Sequence, residues 1–373
     1  MPSLADRMRE AGMPAEELSQ RTGLSPQRVA DLLHDAEPSL RELRLVASAL
    51  QLSLSDFLPP TSAEKHAEVL FRKRASEKRR PAAPVDHFTR RVGGALELLV
   101  DGPKSTPHWL SDFKMPSASY IDAENAASLF RAHFFRGDNL SPLLLLPSIL
   151  VHELGALVYV GSRQSFDGAS VILNGQVFIF VAAQFRPRML FTLAHELGHI
   201  LTHHNDHEVV VLDLPEDIGE LPRRSARQEE AFANAFASCL LLPREGVAVA
   251  LRKIREMIGV HGDAVGDVEL LYLAGIFGVS FQVAARRCED LALLPTGGAK
   301  SLYDHLVKEH ESPEKRAKSL GLPERPEIEF PPLPPRLLDT AMKKVRSGEI
   351  SVGRASQILN LSIPDIFLLN ARS

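Results

Sequence analysis

His195, Glu196 and His199 stand in an HExxH arrangement inside the stretch Phe191-Thr192-Leu193-Ala194-His195-Glu196-Leu197-Gly198-His199-Ile200. On an α-helix, residues four apart share a face, so the two imidazoles can hold one metal ion together. Glu196 projects beside that ion, where a carboxylate can take a proton from water. The pattern is short and also arises by chance, so its surroundings matter. Here Phe191, Leu193, Ala194, Leu197, Ile200 and Leu201 flank it with apolar surface, and Gly198 lets a second backbone come close. These are the marks of a buried helix in the middle of a domain.

A catalytic zinc takes three protein ligands and keeps one position for water. His203 lies one turn beyond His199 and recedes from an ion held by the first two histidines; His204 and His207 fall past the helix end. The metzincin spacing fails, because Thr202 and Asn205 occupy the places of its glycine and third histidine. The other standard solution is a carboxylate on a second helix. The alanine-rich run from Gln228 to Pro243 offers Glu229 and Glu230, with Asn234 on the face of Glu230. A look-alike, His152-Glu153-Leu154-Gly155-Ala156, lacks the second histidine and reads as a helix end with Gly155 past its last turn. The two cysteines, Cys239 and Cys288, form no CxxC, which suits a cytoplasmic protein and leaves histidines and carboxylates as ligands; Cys239 reads as a small core residue.

The elements around the motif follow from its neighbours. Helices are expected over 123–134 and 143–154, then strands at 157–160, 169–173 and 177–181, the last two joined by the hairpin pair Asn174-Gly175. The HExxH helix should run from about Arg186 to His203. Helix, sheet, then HExxH helix is the layout of a zincin, whose sheet edge can hold an extended peptide by strand addition. Residues 203–227 are polar and acidic and read as a rim over the cleft, and two further helices are expected between 270 and 294. Tyr159, His203, His204 and Tyr272 are the available donors for a developing oxyanion.

Residues 3–58 show short helical periodicities. A helix, Gly23, the N-cap Ser25 and a second helix carrying Gln27 and Arg28 are similar to the helix-turn-helix of the lambda-repressor-like (XRE) family. That resemblance implies DNA contacts from Ser25, Gln27 and Arg28. The charge count opposes it: residues 1–58 hold six basic and nine acidic side chains, and phosphate contact supplies most of the affinity for duplex DNA. Docking onto protein is the competing expectation. A basic connector, Arg72, Lys73, Arg74, Lys78, Arg79 and Arg80, could supply the missing phosphate contacts, to single- or double-stranded DNA.

Of the 373 residues, 45% are hydrophobic and 24% charged, and the formal net charge is −4, so no global attraction to nucleic acid or to an anionic membrane is expected. No apolar run is long enough to span a bilayer. Near its C-terminus the chain is rich in proline and charge, then forms short helices that resemble a second helix-turn-helix fragment, read as an interaction or dimerisation module. The division expected is residues 1–60 helix-turn-helix, 61–120 basic connector, 121–300 metallopeptidase, 301–335 linker and 336–373 interaction module. The fold class is α+β: an all-α helix-turn-helix domain, a zincin-like domain with a small sheet plus the HExxH helix, and a small helical C-terminal segment.

Phe-Thr-Leu-Ala-His-Glu-Leu-Gly-His at 191–199, followed by Glu230, Ala233, Asn234, Phe236, Ala237, Leu240, Leu241 and Pro243, resembles the ImmA/IrrE metallopeptidase family over about residues 122–295. The resemblance implies Glu230 as third zinc ligand beside His195 and His199, with Glu196 as the base; Glu229 is the alternative one residue away. The His₂Glu donor set suits zinc and also manganese. The resemblance further implies a narrow-specificity endopeptidase that cleaves an XRE-type repressor or antitoxin-like protein and switches on stress, DNA-damage or defence genes. The competing class is a DNA-binding transcription regulator whose peptidase-like domain serves as a sensor or toxin–antitoxin partner.

Overall fold

The computed structural model describes residues 4, 8, 13–34, 36, 38–50, 86–99, 107–113, 119–161, 167–203, 210–213, 228–262, 264–331, 333–359 and 361–372. Helices α1 (Ala15–Thr22), α2 (Pro26–Leu33), α3 (Leu40–Ala49) and α4 (Asp86–Leu98) come first, then a 3-10 turn (His108–Asp112) and α5 (Tyr120–Phe134). A single helical turn (Leu146–Ser148) widens into a π turn (Ile149–Glu153) before β1 (Leu157–Gly161), β2 (Gly168–Leu173) and β3 (Gln176–Ala182). Next are α6 (Arg186–His203), β4 (Val210–Asp213), α7 (Gln228–Leu241) and α8 (Arg244–Ile258). The remainder is helical: α9 (Asp267–Phe277), α10 (Phe281–Asp290), α11 (Gly298–His310), α12 (Pro313–Ser319), α13 (Pro335–Arg346), α14 (Val352–Leu359) and α15 (Ile363–Arg372). The chain divides into two compact units, one of residues 1–69, 89–100 and 339–373, the other of residues 70–88 and 101–338. Among the described residues no single helix is long and apolar enough to cross a membrane.

In the first unit, Gly23 ends α1 in the left-handed region at φ 70°, a conformation that costs glycine little. The Ser25 hydroxyl then accepts the Arg28 N–H and starts α2 with Pro26 in its first turn. Ser39 and Glu42 make a reciprocal capping box on α3. Met8, Leu18, Val29, Val46 and Leu50 form the buried core that joins these helices. The same unit holds the pairing of α4 with α14: Arg354 bonds Glu97, and a β-carbon on Gly94 would come within 3.0 Å of Ile358.

The second unit contains the sheet, in the order β1-β3-β2-β4. β1 runs parallel to β3, and β2 runs antiparallel to both β3 and β4. Asn174 (φ 47°) and Gly175 (φ 70°) make the expected hairpin turn. Side chains alternate across the strands, so Val158, Ile172, Val177, Ile179 and Val181 join the apolar core that includes α6. Tyr159 and Phe180 point to the other face and pack on Phe88. The helix expected over 143–154 is shorter and wider than its periodicity suggests. It ends at Gly155 (φ 66°), with the Ala156 N–H bonded to Leu150 O, and both His152 and Glu153 are exposed.

One expectation is extended and one corrected. The stretch read as a polar, acidic rim, 203–227, also contributes β4, whose residues pair antiparallel with β2, with Ala169 opposite Leu212. Residues 301–335, read as a linker, contain most of α11 and all of α12, and are seated on the same unit. Arg316 pairs with Asp267, Arg325 donates to Val279 O, and Leu306 and Ile328 are buried. The prolines and charges concealed a few well-spaced apolar anchors.

The Arg28 guanidinium grips Glu42 through Nε–Oε1 at 2.7 Å and Nη2–Oε2 at 3.1 Å. This contact, with the N–H and hydroxyl of Ser39, holds the Glu42 carboxyl at about 2. A depressed carboxyl contributes stability above its ordinary range and loses it as pH falls toward the folded value. Acid should therefore loosen the N-terminal helices between the ordinary glutamate range and about 2. Glu42→Gln should flatten that dependence when hydrogen exchange of α2 and α3 is followed against pH.

Candidate metal centre

α6 begins where the Phe185 carbonyl accepts the Arg188 and Met189 N–H groups, and it runs the expected length to His203. Its apolar residues bury it among the sheet, α7 and the short helix at 146–148, leaving His195, Glu196 and His199 each no more than 1% exposed. α7 lies across it. A β-carbon on Gly198 would come within 2.9 Å of Ala233 Cα and 3.3 Å of Phe236 Cδ1, so glycine on one helix and alanine on the other set the closeness of the two axes. That closeness brings Glu230, in the first turn of α7, to the histidines.

His195 Nε2 and His199 Nε2 are 3.0 Å apart. Glu230 Oε2 lies 3.5 Å from the first and 3.3 Å from the second. A tetrahedral ion with bonds of about 2.0–2.1 Å spaces its donors about 3.3 Å apart, so three donors at these separations surround one ion position. Two imidazole lone pairs aimed at one point at 3.0 Å repel unless a cation or proton lies between them. Asn234 Oδ1 sits 3.1 Å from His195 Nδ1; read as accepting its N–H, it leaves Nε2 to face the ion position. These three residues are the one group of three or more potential ligands found among the described residues.

Glu196 projects from the same helix toward β2. Gly168 opens that strand, and a β-carbon there would overlap Glu196 Oε1 and come within 2.8 Å of Thr192 Cγ2. The carboxylate thus fills the space that a side chain at 168 would take.

The far end of α7 is fastened by two fully buried arginines. Arg131 donates to Leu240 O at 2.7 Å and Arg287 to Leu242 O at 2.8 Å, and Arg287 also pairs with Glu124. They satisfy carbonyls that the last helical turn leaves open and oppose its dipole. Burial lowers Arg131 to about 10. Cys239 is buried beside Tyr120, and burial raises its thiol to about 11, in keeping with a core residue.

Of the residues singled out from the sequence, the structure brings together His195, His199 and Glu230, with Glu196 adjacent. Glu229 is not among the grouped donors. Tyr159 faces the opposite side of the sheet from α6, and Tyr272 lies on α9. The His203 side chain and His204 lie outside the described residues, as do His207, Arg72, Lys73, Arg74, Lys78, Arg79 and Arg80. Ser25 is spent as an N-cap, Gln27 bonds Asp31, and Arg28 is held by Glu42. Sequence reasoning missed the contact of Asn234 with His195, although its place four residues after Glu230 was visible. It also missed Gly168, which carries no signal beyond a glycine at a strand start.

Two family models match the chain. Residues 147–289 match the IrrE N-terminal-like domain and residues 4–57 match a helix-turn-helix. Together they match the ImmA/IrrE-type arrangement, and they support a DNA-binding regulator that carries a metallopeptidase-like domain. No curated protein matches.

Gly198→Val should push α7 away from α6 and weaken zinc binding while leaving secondary structure largely intact, as read by metal titration and circular dichroism. Asn234→Ala should lower zinc affinity by about 10–100-fold, the usual effect of removing a partner from a ligating histidine.

Proposed function

We propose that this chain is a zinc-dependent endopeptidase of narrow specificity, which cleaves an XRE-type repressor or antitoxin-like protein and so releases a stress, DNA-damage or defence response. The observation that carries the reading is the convergence of His195, His199 and Glu230 on one position, with the Glu196 carboxylate held beside it against Gly168. A divalent metal bound there supplies a Lewis acid that polarises a peptide carbonyl and makes water a better nucleophile near neutral pH. The chain supplies the rest. His195, His199 and Glu230 hold the ion, and Asn234 fixes the His195 ring. Glu196 accepts a proton from the attacking water and passes it to the leaving amine. Among the described residues β4 is the last strand of the sheet, and its outer edge would offer backbone groups to an extended substrate segment, which suits a peptide laid along the sheet.

The helix-turn-helix domain would bring this activity to its partner. With Arg28 and Gln27 engaged within their own domain, a protein surface suits α2 at least as well as a phosphate backbone. The depth of His195, Glu196 and His199 favours a second reading, in which the domain senses metal and the output is transcriptional.

The deciding experiment mixes zinc-loaded protein with an XRE-type repressor encoded beside it. Glu196→Gln should retain zinc and fold while cleavage falls by about 10²–10⁴, the contribution of general acid–base catalysis. Full regulatory output from that variant would favour the sensor.

A further inference from the structure

We infer that Arg188 and Asp167 form a clamp that positions Glu196, and so belong to the catalytic apparatus as positioning residues. The inference rests on the reading of Glu196 as the base.

Asp167 is 0% exposed, and a carboxylate that deep needs a cation and hydrogen bonds. Arg188 supplies both, with Nη2 at 2.6 Å and Nε at 2.8 Å from Asp167 Oδ2. The Asp167 carbonyl in turn accepts the Ala182 N–H at 2.9 Å, tying it to the end of β3. Asp167 immediately precedes Gly168, whose backbone is the wall against the Glu196 carboxylate. Arg188, Thr192 and Glu196 follow one another at four-residue intervals and share one face of α6. The ion pair therefore joins the helix bearing the base to the strand forming its wall, two turns from the base and one residue from the wall. It sets the gap in which the carboxylate is confined. A carboxylate confined in this way has few rotamers to lose on meeting substrate, which is what preorganisation requires.

A packing role alone would not explain the arrangement. The Arg188 side chain is 36% exposed and lines a surface cavity with Phe185, Phe281 and Tyr303. Its Nε and Nη2 are turned inward, to Asp167.

The test uses the full-length zinc-loaded protein with acetohydroxamic acid as probe, since a hydroxamate on the metal also hydrogen-bonds a neighbouring carboxylate. Wild type, Glu196→Gln, Arg188→Gln and Arg188→Lys are compared for zinc stoichiometry, thermal midpoint and hydroxamate affinity. The expected result is one zinc in every protein, and affinity weakened about tenfold in both Glu196→Gln and Arg188→Gln, the loss of one charge-assisted hydrogen bond. Arg188→Lys, which keeps a cation for Asp167, should recover most of it. Should Arg188→Gln destabilise the fold, the comparison of Arg188→Lys with Arg188→Met at a temperature where both are folded carries the same reading. Wild-type affinity in Arg188→Gln or Arg188→Met, beside a weakened Glu196→Gln, overturns the clamp and leaves the base in place. Equal affinity in wild type and Glu196→Gln overturns the base, and the clamp with it.

Discussion

The second unit depends on how near two helix axes can come. Gly198 on α6 presents no side chain to Ala233 on α7, and at 2.9 Å from Ala233 Cα there is no room for one. The place of Glu230 beside the histidines follows from that contact. The histidines come from one helix and the carboxylate from the other, and the Glu230 separations of 3.3–3.5 Å hold only while the axes stay together. A larger residue at 198 would act far more on Glu230 than on the histidines, because the intruding atoms would lie between the helices.

α7 is held at both ends by opposite means. Its first turn carries Glu229 and Glu230, where acidic groups meet the positive end of the helix dipole. Its last carbonyls meet Arg131 and Arg287, each fully buried. Two buried guanidiniums are expensive unless their hydrogen bonds are satisfied, and here they reach Leu240 O, Leu242 O, Asp138 O, Ser141 O and Glu124. Such networks bind strongly only in one geometry, which makes them suited to fixing a helix along its axis and not merely across it.

Much of this was legible in the sequence, for identifiable reasons. HExxH encodes its own geometry, since four residues are one helical turn, and the apolar residues around it announced burial. The hairpin at Asn174-Gly175 and the ends of α6 were equally plain. Choosing Glu230 over Glu229 needed the family's second block, because periodicity alone left both open. What stayed hidden is what sequence patterns do not carry. β4 is four residues long, and its partners in β2 lie 39 to 45 positions upstream. The segment 301–335 docks through isolated anchors such as Ile328 and Arg325, which no periodic pattern marks. Gly168 and Asp167 matter because of what stands opposite them in space.

The three donors also join parts of the chain that are far apart in sequence, His199 and Glu230 bracketing everything between them. An ion held by all three acts as a cross-link, and one bound by the folded chain alone adds to stability as the logarithm of its free concentration. Folding of this unit would then be coupled to metal supply. A cell poor in that ion would then hold less of the folded form and a richer one more, so the abundance of the protein would follow the ion in its surroundings.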